Sequence, residues 1–123
     1  MVKYVMVADT NRNICKMLSE LISLNKSVDM VFCCLSFKDV IRFLRLNSFD
    51  MIIIRLDESE LNGLEIIRTI HENHPQCKVV IAADASYFEA TNFAEKADGF
   101  LRLPKSVNNV NPIKKQLEAI FMD

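Results

Sequence analysis

The chain has 123 residues, half of them apolar and a quarter charged, which is the size and composition of one soluble globular domain. Its formal net charge of −1 provides no overall attraction to nucleic acid or to an anionic membrane surface. No apolar stretch is long enough to span a membrane, and residues 1–8 lack a signal-peptide layout because their short apolar part runs directly into Asp9. We therefore expect a single cytoplasmic domain over residues 1–123.

The first part of the chain alternates apolar runs with amphipathic stretches. Residues 4–8 predict the first strand, and the capping residues 9–11 precede apolar positions with i, i+3, i+4, i+7 spacing. That spacing predicts a helix over residues 14–22 with one face in the core. Residues 28–34 predict the second strand, and Ser36 is a plausible N-cap for the second helix.

The third apolar run organises the rest of the chain. Residues 51–54, within a predicted strand at 49–55, consist only of Met and Ile, a composition typical of a strand buried on both faces of a parallel sheet. The run ends at Arg55. Because the carboxyl ends of parallel strands open onto the crevice where ligands bind, Arg55 occupies the position that matters most for function.

The second half continues the same alternation. Residues 78–83 and 99–103 predict the fourth and fifth strands, and residues 86–96 predict a weaker helix between them. Apolar residues at helical spacing define the third and fifth helices: Leu61, Leu64, Ile67 and Ile70, then Val110, Ile113, Leu117, Ile120 and Phe121.

Five βα units predict an α/β, flavodoxin-like fold: a doubly wound five-stranded parallel sheet with strand order 2-1-3-4-5 and five helices on its two faces. The fold alone does not define an activity. Two glycines in the whole chain are too few for a phosphate-binding loop, which argues against a nucleotide-binding enzyme.

The cysteines show no metal-binding or redox spacing, since no two of them form a C-x-x-C pair. In a reducing compartment such thiols pack as small apolar side chains. We expect buried, reduced thiols at Cys15, Cys33, Cys34 and Cys77.

Several motifs connect these elements to a known family. They are Asn62-Gly63-Leu64 at the start of helix three, Gly99-Phe100 in strand five, and Pro104 directly after strand five. With them the chain resembles, over essentially its whole length, a receiver domain of the two-component response-regulator family. Residues 7–12 and 18–20 are most similar to the sporulation regulators of endospore-forming bacteria.

The resemblance implies a phosphorylation site at the strand ends. Family receivers accept a phosphoryl group from a histidine kinase on an aspartate at the end of strand three, next to Mg²⁺ held by two acidic residues after strand one. A Thr or Ser after strand four and a Lys after strand five contact the phosphoryl group. Asp9 matches the first acidic position, but the other matching positions carry Thr10, Arg55, Ala83 and Leu103.

These replacements predict a pseudo-receiver in phosphorelay signalling rather than an enzyme. An arginine cannot form an acyl phosphate, because its guanidinium is a permanent cation without a nucleophilic lone pair. Asp9, with Asp57 as a residual acidic candidate, offers few carboxylates to Mg²⁺, so we expect weak or absent Mg²⁺ binding and no cofactor. We expect instead that Arg55 pairs with Asp9 in the place of the metal, the alternative being an Arg55 that extends into solvent.

Two alternatives stay open at the strand ends. Asp57 is the only nearby residue able to replace Arg55 as a phosphoacceptor, although we expect it to point away from the crevice into the loop. Asp57, Glu58 and Asp84 could form a cation site with Asp9, although solvated loop acids are the expected result.

A receiver fold without phosphotransfer still offers a partner surface. In the family, helix four, strand five and helix five often form a dimer or partner face, which implies a homodimer or a protein partner here and a role in transcription regulation. No contact with nucleic acid or membrane is expected through this domain, and whether an output domain follows residue 123 stays open. Phe100, at the family's aromatic switch position, is expected to be mainly core. The surface is expected to carry Tyr87, Phe88, Phe93, Phe100, Leu101 and Arg102.

Overall fold

The computed structural model of the protein describes residues 2–90, 97–104 and 108–122. Its five strands form one parallel sheet in the order β2-β1-β3-β4-β5, which confirms the predicted fold. The strands are β1 (Tyr4–Ala8), β2 (Met30–Cys34), β3 (Met51–Arg55), β4 (Lys78–Asp84) and β5 (Gly99–Leu103).

A helix follows each strand, as the βα alternation predicts. In the described ranges, no helix is long and apolar enough to cross a membrane. The helices are α1 (Arg12–Ile22), α2 (Phe37–Leu46), α3 (Gly63–Asn73), α4 (Ala85–Ala90) and α5 (Asn111–Phe121).

Alternating side chains of the central strands fill two cores, one on each face of the sheet. On one face Ile52 and Ile54 pack with α2 and α3. On the other face Met51 and Ile53 pack with α1 and α5. All four side chains are at most 1% exposed, so β3 is buried on both faces and its carboxyl end is held rigidly between two packed layers.

Two strand boundaries differ from the sequence prediction. Strand β2 begins at Met30 rather than at residue 28, because the backbone N–H of Val28 donates to the Asn25 carbonyl within the preceding turn. Strand β4 extends one residue further, to Asp84, and α4 follows it directly. The predicted continuation of that helix over residues 91–96 lies outside the described residues.

The predicted core face of helix three is also shifted. Leu61 is buried, but it belongs to a separate 3₁₀ turn over Ser59–Leu61 that precedes α3. Because the turn breaks the helical phase, Leu64 is 42% exposed while Ile66 is fully buried. Ile67 and Ile70 face the core as predicted.

The entry into α3 brings that helix unusually close to the end of β3. Asn62 has a φ of 54°, in the left-handed region, and Gly63 begins the helix. A Cβ atom on Gly63 would lie 3.0 Å from the carbonyl oxygen of Arg55 and 3.0 Å from Cδ1 of Leu56. A glycine is therefore required for this packing, which fixes the backbone beneath the Arg55 side chain.

The thiols are not all buried. Cys15, Cys34 and Cys77 lie in the interior, but Cys33 is exposed. The prediction was wrong at this position because β2 is an edge strand, so its outer face is only partly covered by α1.

Candidate functional site

Arg55, the last residue of β3, is the centre of a charged cluster at the carboxyl edge of the sheet. Its Nη1 lies 3.1 Å from Oδ2 of Asp9, so the predicted pair is present. Its Nε donates to Oδ1 of Asp57, and its Nη2 lies 3.4 Å from Oδ2 of the same carboxylate. A third carboxylate, Glu58, lies 3.9 Å from Nη1. The Arg55 side chain is 14% exposed, so the guanidinium is held inside the crevice rather than extended into solvent.

Asp9 is the most buried member of the cluster, at 1% exposure. Its backbone N–H donates to the carbonyl of Cys34, and its Oδ1 accepts from the backbone N–H of Asn11 at 2.8 Å. Burial raises the pKa of Asp9 from its ordinary 3.8 to about 6, and the nearby Glu58 charge acts in the same direction. The Asn11 N–H and the Arg55 charge oppose this rise but do not cancel it.

The position of Asp57 differs from the prediction. Its carboxylate points into the crevice, where both oxygens contact Arg55 and Oδ2 also accepts from the backbone N–H of Asp84 at 3.1 Å. The expectation that it would point into the loop was wrong because a two-residue spacing lets the carboxylate meet the guanidinium edge-on, a strong charge-assisted geometry.

Glu58 connects the cluster to the loop after β1. Its Oε1 accepts from the backbone N–H of Thr10 at 2.9 Å, while its Oε2 faces Arg55. Thr10 therefore contributes to the cluster through its backbone N–H.

The charges of the cluster are one cation and three carboxylates. Burial alone would lower the pKa of the Arg55 guanidinium, but the hydrogen bonds and charges of Asp57 and Asp9 outweigh burial and raise it. Arg55 is thus a permanent cation in the middle of the acidic groups.

The open cation site considered from the sequence is not assembled. Asp84 turns its Oδ1 to the Ser86 backbone and hydroxyl. Across residues 2–90, 97–104 and 108–122, no group of three His, Cys, Asp or Glu side chains is arranged to hold a metal ion.

The remaining two site positions are apolar core. Ala83 near the end of β4 and Leu103 at the end of β5 are 0% and 2% exposed. Leu103 packs with Leu101 and α5 in the core on the α1 side. Neither side chain can donate a hydrogen bond to an anion in the crevice.

The aromatic residues of α4 and β5 form a partly exposed surface cluster. The rings of Phe88 and Phe100 meet edge to face at 5.7 Å, and the Arg102 guanidinium lies 5.3 Å from the centre of the Phe88 ring. Tyr87 packs against Phe88 at 6.4 Å. Phe100 is 42% exposed, so the expectation that it would be mainly core was wrong.

One other member of the expected surface, Leu101, is not exposed. Leu101 is fully buried, because side chains alternate along β5 and its neighbours Phe100 and Arg102 take the outer face. Phe93 lies outside the described residues.

Gln116 of α5 was not singled out from the sequence, yet it completes the edge of the sheet. Its Oε1 accepts from the backbone N–H of Arg102 at 2.7 Å, and its Nε2 donates to the Arg102 carbonyl at 2.9 Å. The side-chain amide thus imitates a neighbouring strand at the exposed edge of β5. An amide on a helix carries no sequence signal for such a role, because it depends on the docking of α5.

The comparisons with known proteins agree with this architecture. Residues 5–117 match the response regulator receiver domain family. The match spans most of the chain, and the chain therefore belongs to that family: it is a receiver domain of a two-component response regulator. A search of curated proteins finds no match to the chain.

Solved receiver domains superpose on nearly the whole chain. The response regulator TrrA of Thermotoga maritima, crystallised with Mg²⁺-BeF, has a TM-score of 0.73 at 18% identity, covering 96% of this chain and 98% of its own. A receiver domain from Clostridium thermocellum has a TM-score of 0.72 at 20% identity, covering 97% and 94%. HP1043, an orphan response regulator of H. pylori, has a TM-score of 0.70 at 18% identity, covering 96% and 95%. At these identities the likeness shows the fold alone.

Proposed function

We propose that this receiver domain has lost phosphoryl acceptance and works as a pseudo-receiver. One observation carries the proposal: the guanidinium of Arg55, at the end of β3, lies between the carboxylates of Asp9 and Asp57. In the family this is the place of the acceptor aspartate and its Mg²⁺. A cation fixed there offsets part of the acidic charge without any metal ion.

The chemistry of the site supports the same conclusion. Phosphoryl transfer needs an in-line nucleophile, a divalent cation and donors for the equatorial oxygens. Arg55 is not a nucleophile, and the Asp9 carboxylate is already bound to Arg55 and to a backbone N–H. Ala83 and Leu103 provide no donors.

A titration followed by amide NMR tests the proposal. Adding Mg²⁺ and then a beryllofluoride salt to the domain should leave the resonances of Asp9, Arg55 and Ala83 in place. The matched variant is Arg55→Asp, which removes the cation and adds a carboxylate, and its Asp9 resonance should move on addition of Mg²⁺. Saturable, Mg²⁺-dependent shifts in the unmodified domain would overturn the proposal.

A working receiver that uses Asp57 is the second candidate. The observation that favours it is the position of the Asp57 carboxylate inside the crevice rather than in the loop. Against it stands the engagement of both carboxylate oxygens, by Arg55 and by the Asp84 N–H. The substitution Asp57→Asn separates the candidates, because it would abolish any phosphoryl incorporation that occurs on this residue.

We propose further that the domain acts as a protein-interaction or dimerisation module through the surface formed by α4, β5 and α5. An exposed aromatic ring, Phe100, with two partly buried rings and an arginine beside it, is a composition that protein interfaces favour. The described residues assigned to this surface are Tyr87, Phe88, Phe100 and Arg102.

The oligomeric state provides the test of this surface. Light scattering after size-exclusion chromatography should show a dimer, or a complex with a protein partner, that is lost in Arg102→Glu. Arg42→Glu, on the exposed side of α2, is the matched control and should leave the assembly intact. A monomer with no partner, or equal effects of the two variants, would contradict the proposal.

We propose that the domain works in the cytoplasm, as part of a phosphorelay that controls transcription. The similarity of residues 7–12 and 18–20 to the stage-zero sporulation regulator A supports that assignment. The regulating signal would then be abundance, a protein partner or a small ligand rather than a phosphoryl group.

A further inference from the structure

Two cysteines lie side by side where α1 packs on the edge strand β2. Cys15 is in the second turn of α1, with its Sγ at 3.5 Å from the Asp9 carbonyl and 3.7 Å from the Val7 carbonyl. Cys33 is the β2 partner of Val7 in the sheet register. Its Sγ lies 3.4 Å from the carbonyl oxygen of Cys15.

The two thiols differ in access. Cys33 is exposed, while Cys15 is 1% exposed and lies beneath it in the core between α1 and the sheet. The Sγ of Cys33 donates to the backbone carbonyl of Cys15 at 3.4 Å, so the exposed thiol lies against the residue that carries the buried one. A reagent from solution therefore meets Cys33 first. The Cys15 thiol lies on the same side of the sheet, because its Sγ contacts the carbonyl of Val7, the residue paired with Cys33.

Cys34 does not compete for this role. Successive side chains of a strand point to opposite faces, and Cys34 packs in the core on the α2 side of the sheet. Cys77 is also buried in that core. These two residues provide matched internal controls.

We propose that Cys15 and Cys33 form a redox modification site, in which a hydroperoxide oxidises Cys33 and Cys15 then closes an intramolecular disulfide. In the first step the Cys33 sulfur attacks a peroxide oxygen, the O–O bond breaks, and Cys33 becomes a sulfenic acid as water leaves. In the second step the Cys15 sulfur attacks the Cys33 sulfur, the S–O bond breaks, and the hydroxide that leaves takes up the Cys15 proton. The two thiols lose two electrons in total, and hydrogen peroxide is reduced to two waters.

The surroundings of Cys15 control the rate of the second step, in which the disulfide closes. Burial raises the pKa of the Cys15 thiol, and the neighbouring Cys33 and Asp9 raise it further. A thiol that stays protonated attacks slowly, so disulfide closure should accelerate as the pH rises. The same high pKa makes Cys15 a slow leaving group, so a small thiol that attacks Cys33 should reduce the disulfide slowly.

The cysteine pair borders the backbone that carries Asp9. The N–H of Asp9 donates to the carbonyl of Cys34, and its carbonyl accepts from Cys15. A Cys15–Cys33 disulfide replaces that second contact and ties α1 to β2 directly behind Asp9. Oxidation would therefore change the surroundings of the Asp9 carboxylate, which binds Arg55. This effect does not depend on whether the domain can be phosphorylated.

Peptide mapping after oxidation tests the proposal. The reduced full chain is treated with hydrogen peroxide, free thiols are blocked with N-ethylmaleimide, and the digest is analysed by mass spectrometry. The expected product is a Cys15–Cys33 linked peptide that loses its link after strong reduction. The double variant Cys34→Ala/Cys77→Ala should retain the link, whereas Cys33→Ser should abolish it.

Cys33→Ser is the decisive variant because Cys33 is exposed and its substitution should not disturb folding, unlike a change at buried Cys15. In addition, oxidation should shift the amide resonances of Asp9 and Thr10 in the unmodified chain and leave them in place in Cys33→Ser. A link that involves Cys34, a disulfide between the Cys33 residues of two chains, or Cys33 sulfinic acid without a link would each overturn the proposal.

Discussion

Arg55 and Asp9 come from the ends of neighbouring strands, and their side chains meet at 3.1 Å in a crevice where Asp9 is almost completely shielded from water. A second carboxylate, Asp57, engages the other edge of the guanidinium. Removing a buried charge partner is costly because it leaves the other charge unpaired. This relationship predicts that Arg55 is needed for stability, and under the pseudo-receiver proposal the same residue also prevents phosphoryl transfer.

Arg55→Ala should lower the free energy of unfolding by about 3 kcal/mol at neutral pH, because Asp9 and Asp57 lose their shared cation. Urea denaturation followed by circular dichroism measures the change. Arg42→Ala is the control, since Arg42 pairs with Asp39 at the surface, where an ion pair contributes about 0–1 kcal/mol. Equal losses in the two variants would show that Arg55 is not held in the crevice.

The raised pKa of Asp9 predicts an unusual pH dependence. Its pKa is about 6 in the folded protein against an ordinary 3.8, so the folded state binds the proton more tightly than the unfolded state. The contribution of Asp9 to stability should therefore increase as the pH falls through 6 and level off below 3.8.

Comparison with Asp9→Asn isolates this contribution, because the other carboxylates are common to both proteins. The free energy of unfolding of the unmodified protein, minus that of Asp9→Asn, should rise as the pH is lowered from 7 towards 4. A difference that falls over this range would mean that the pairing with Arg55 outweighs the burial of Asp9 and depresses its pKa.

Gly63→Ala should destabilise the domain by about 1–3 kcal/mol, because the added Cβ would press on the Arg55 carbonyl and on Leu56. The change should also move the Arg55 side-chain resonances. Gly99→Ala is the matched control, since the nearest atom to its Cβ would be Cγ2 of Val80 at an ordinary 3.6 Å. Thermal unfolding of the two variants gives the comparison, and a Gly63→Ala protein as stable as Gly99→Ala would contradict the close approach.

Gln116→Ala should expose the edge of β5. The backbone N–H and carbonyl of Arg102 would each lose a partner, at a cost of about 1–2 kcal/mol in total. Hydrogen exchange at the Arg102 amide should accelerate, and it should not change in Lys115→Ala on the exposed side of the same helix. An unchanged exchange rate of the Arg102 amide in Gln116→Ala would contradict the two hydrogen bonds between the Gln116 side chain and the Arg102 backbone.

The apolar runs predict the strands, and their alternation with helices predicts a doubly wound sheet with this strand order. The Arg55–Asp9 pair follows from the resemblance to receiver domains, which places both residues at the same strand ends. The sequence does not predict the direction of Asp57, which depends on how the loop after β3 folds back onto the guanidinium. Nor does it predict the exposure of Cys33. The predicted strand order already places β2 at the edge, but the part of that strand that α1 covers depends on how the helix docks. The shift from Leu64 to Ile66 in α3 has a similar cause: a 3₁₀ turn changes the helical phase without changing the apolar spacing.

The hydrogen bonds from Gln116 to the Arg102 backbone and the exposure of the Phe100 ring depend on how the helices pack against the sheet. Both arise where α5 and α4 meet the edge of β5, and the pattern of either helix alone is compatible with several docking positions. Surface side chains of this kind are the least determined by periodicity, since neither burial nor capping constrains them.

Covalent phosphoryl transfer tests the central claim most directly. The domain is incubated with acetyl phosphate and Mg²⁺, and its intact mass is measured over time. The proposed loss of phosphoryl acceptance predicts no phosphoryl adduct at any time. A Mg²⁺-dependent adduct approaching one phosphoryl group per chain, and absent in Asp57→Asn, would contradict the claim and establish Asp57 as the acceptor.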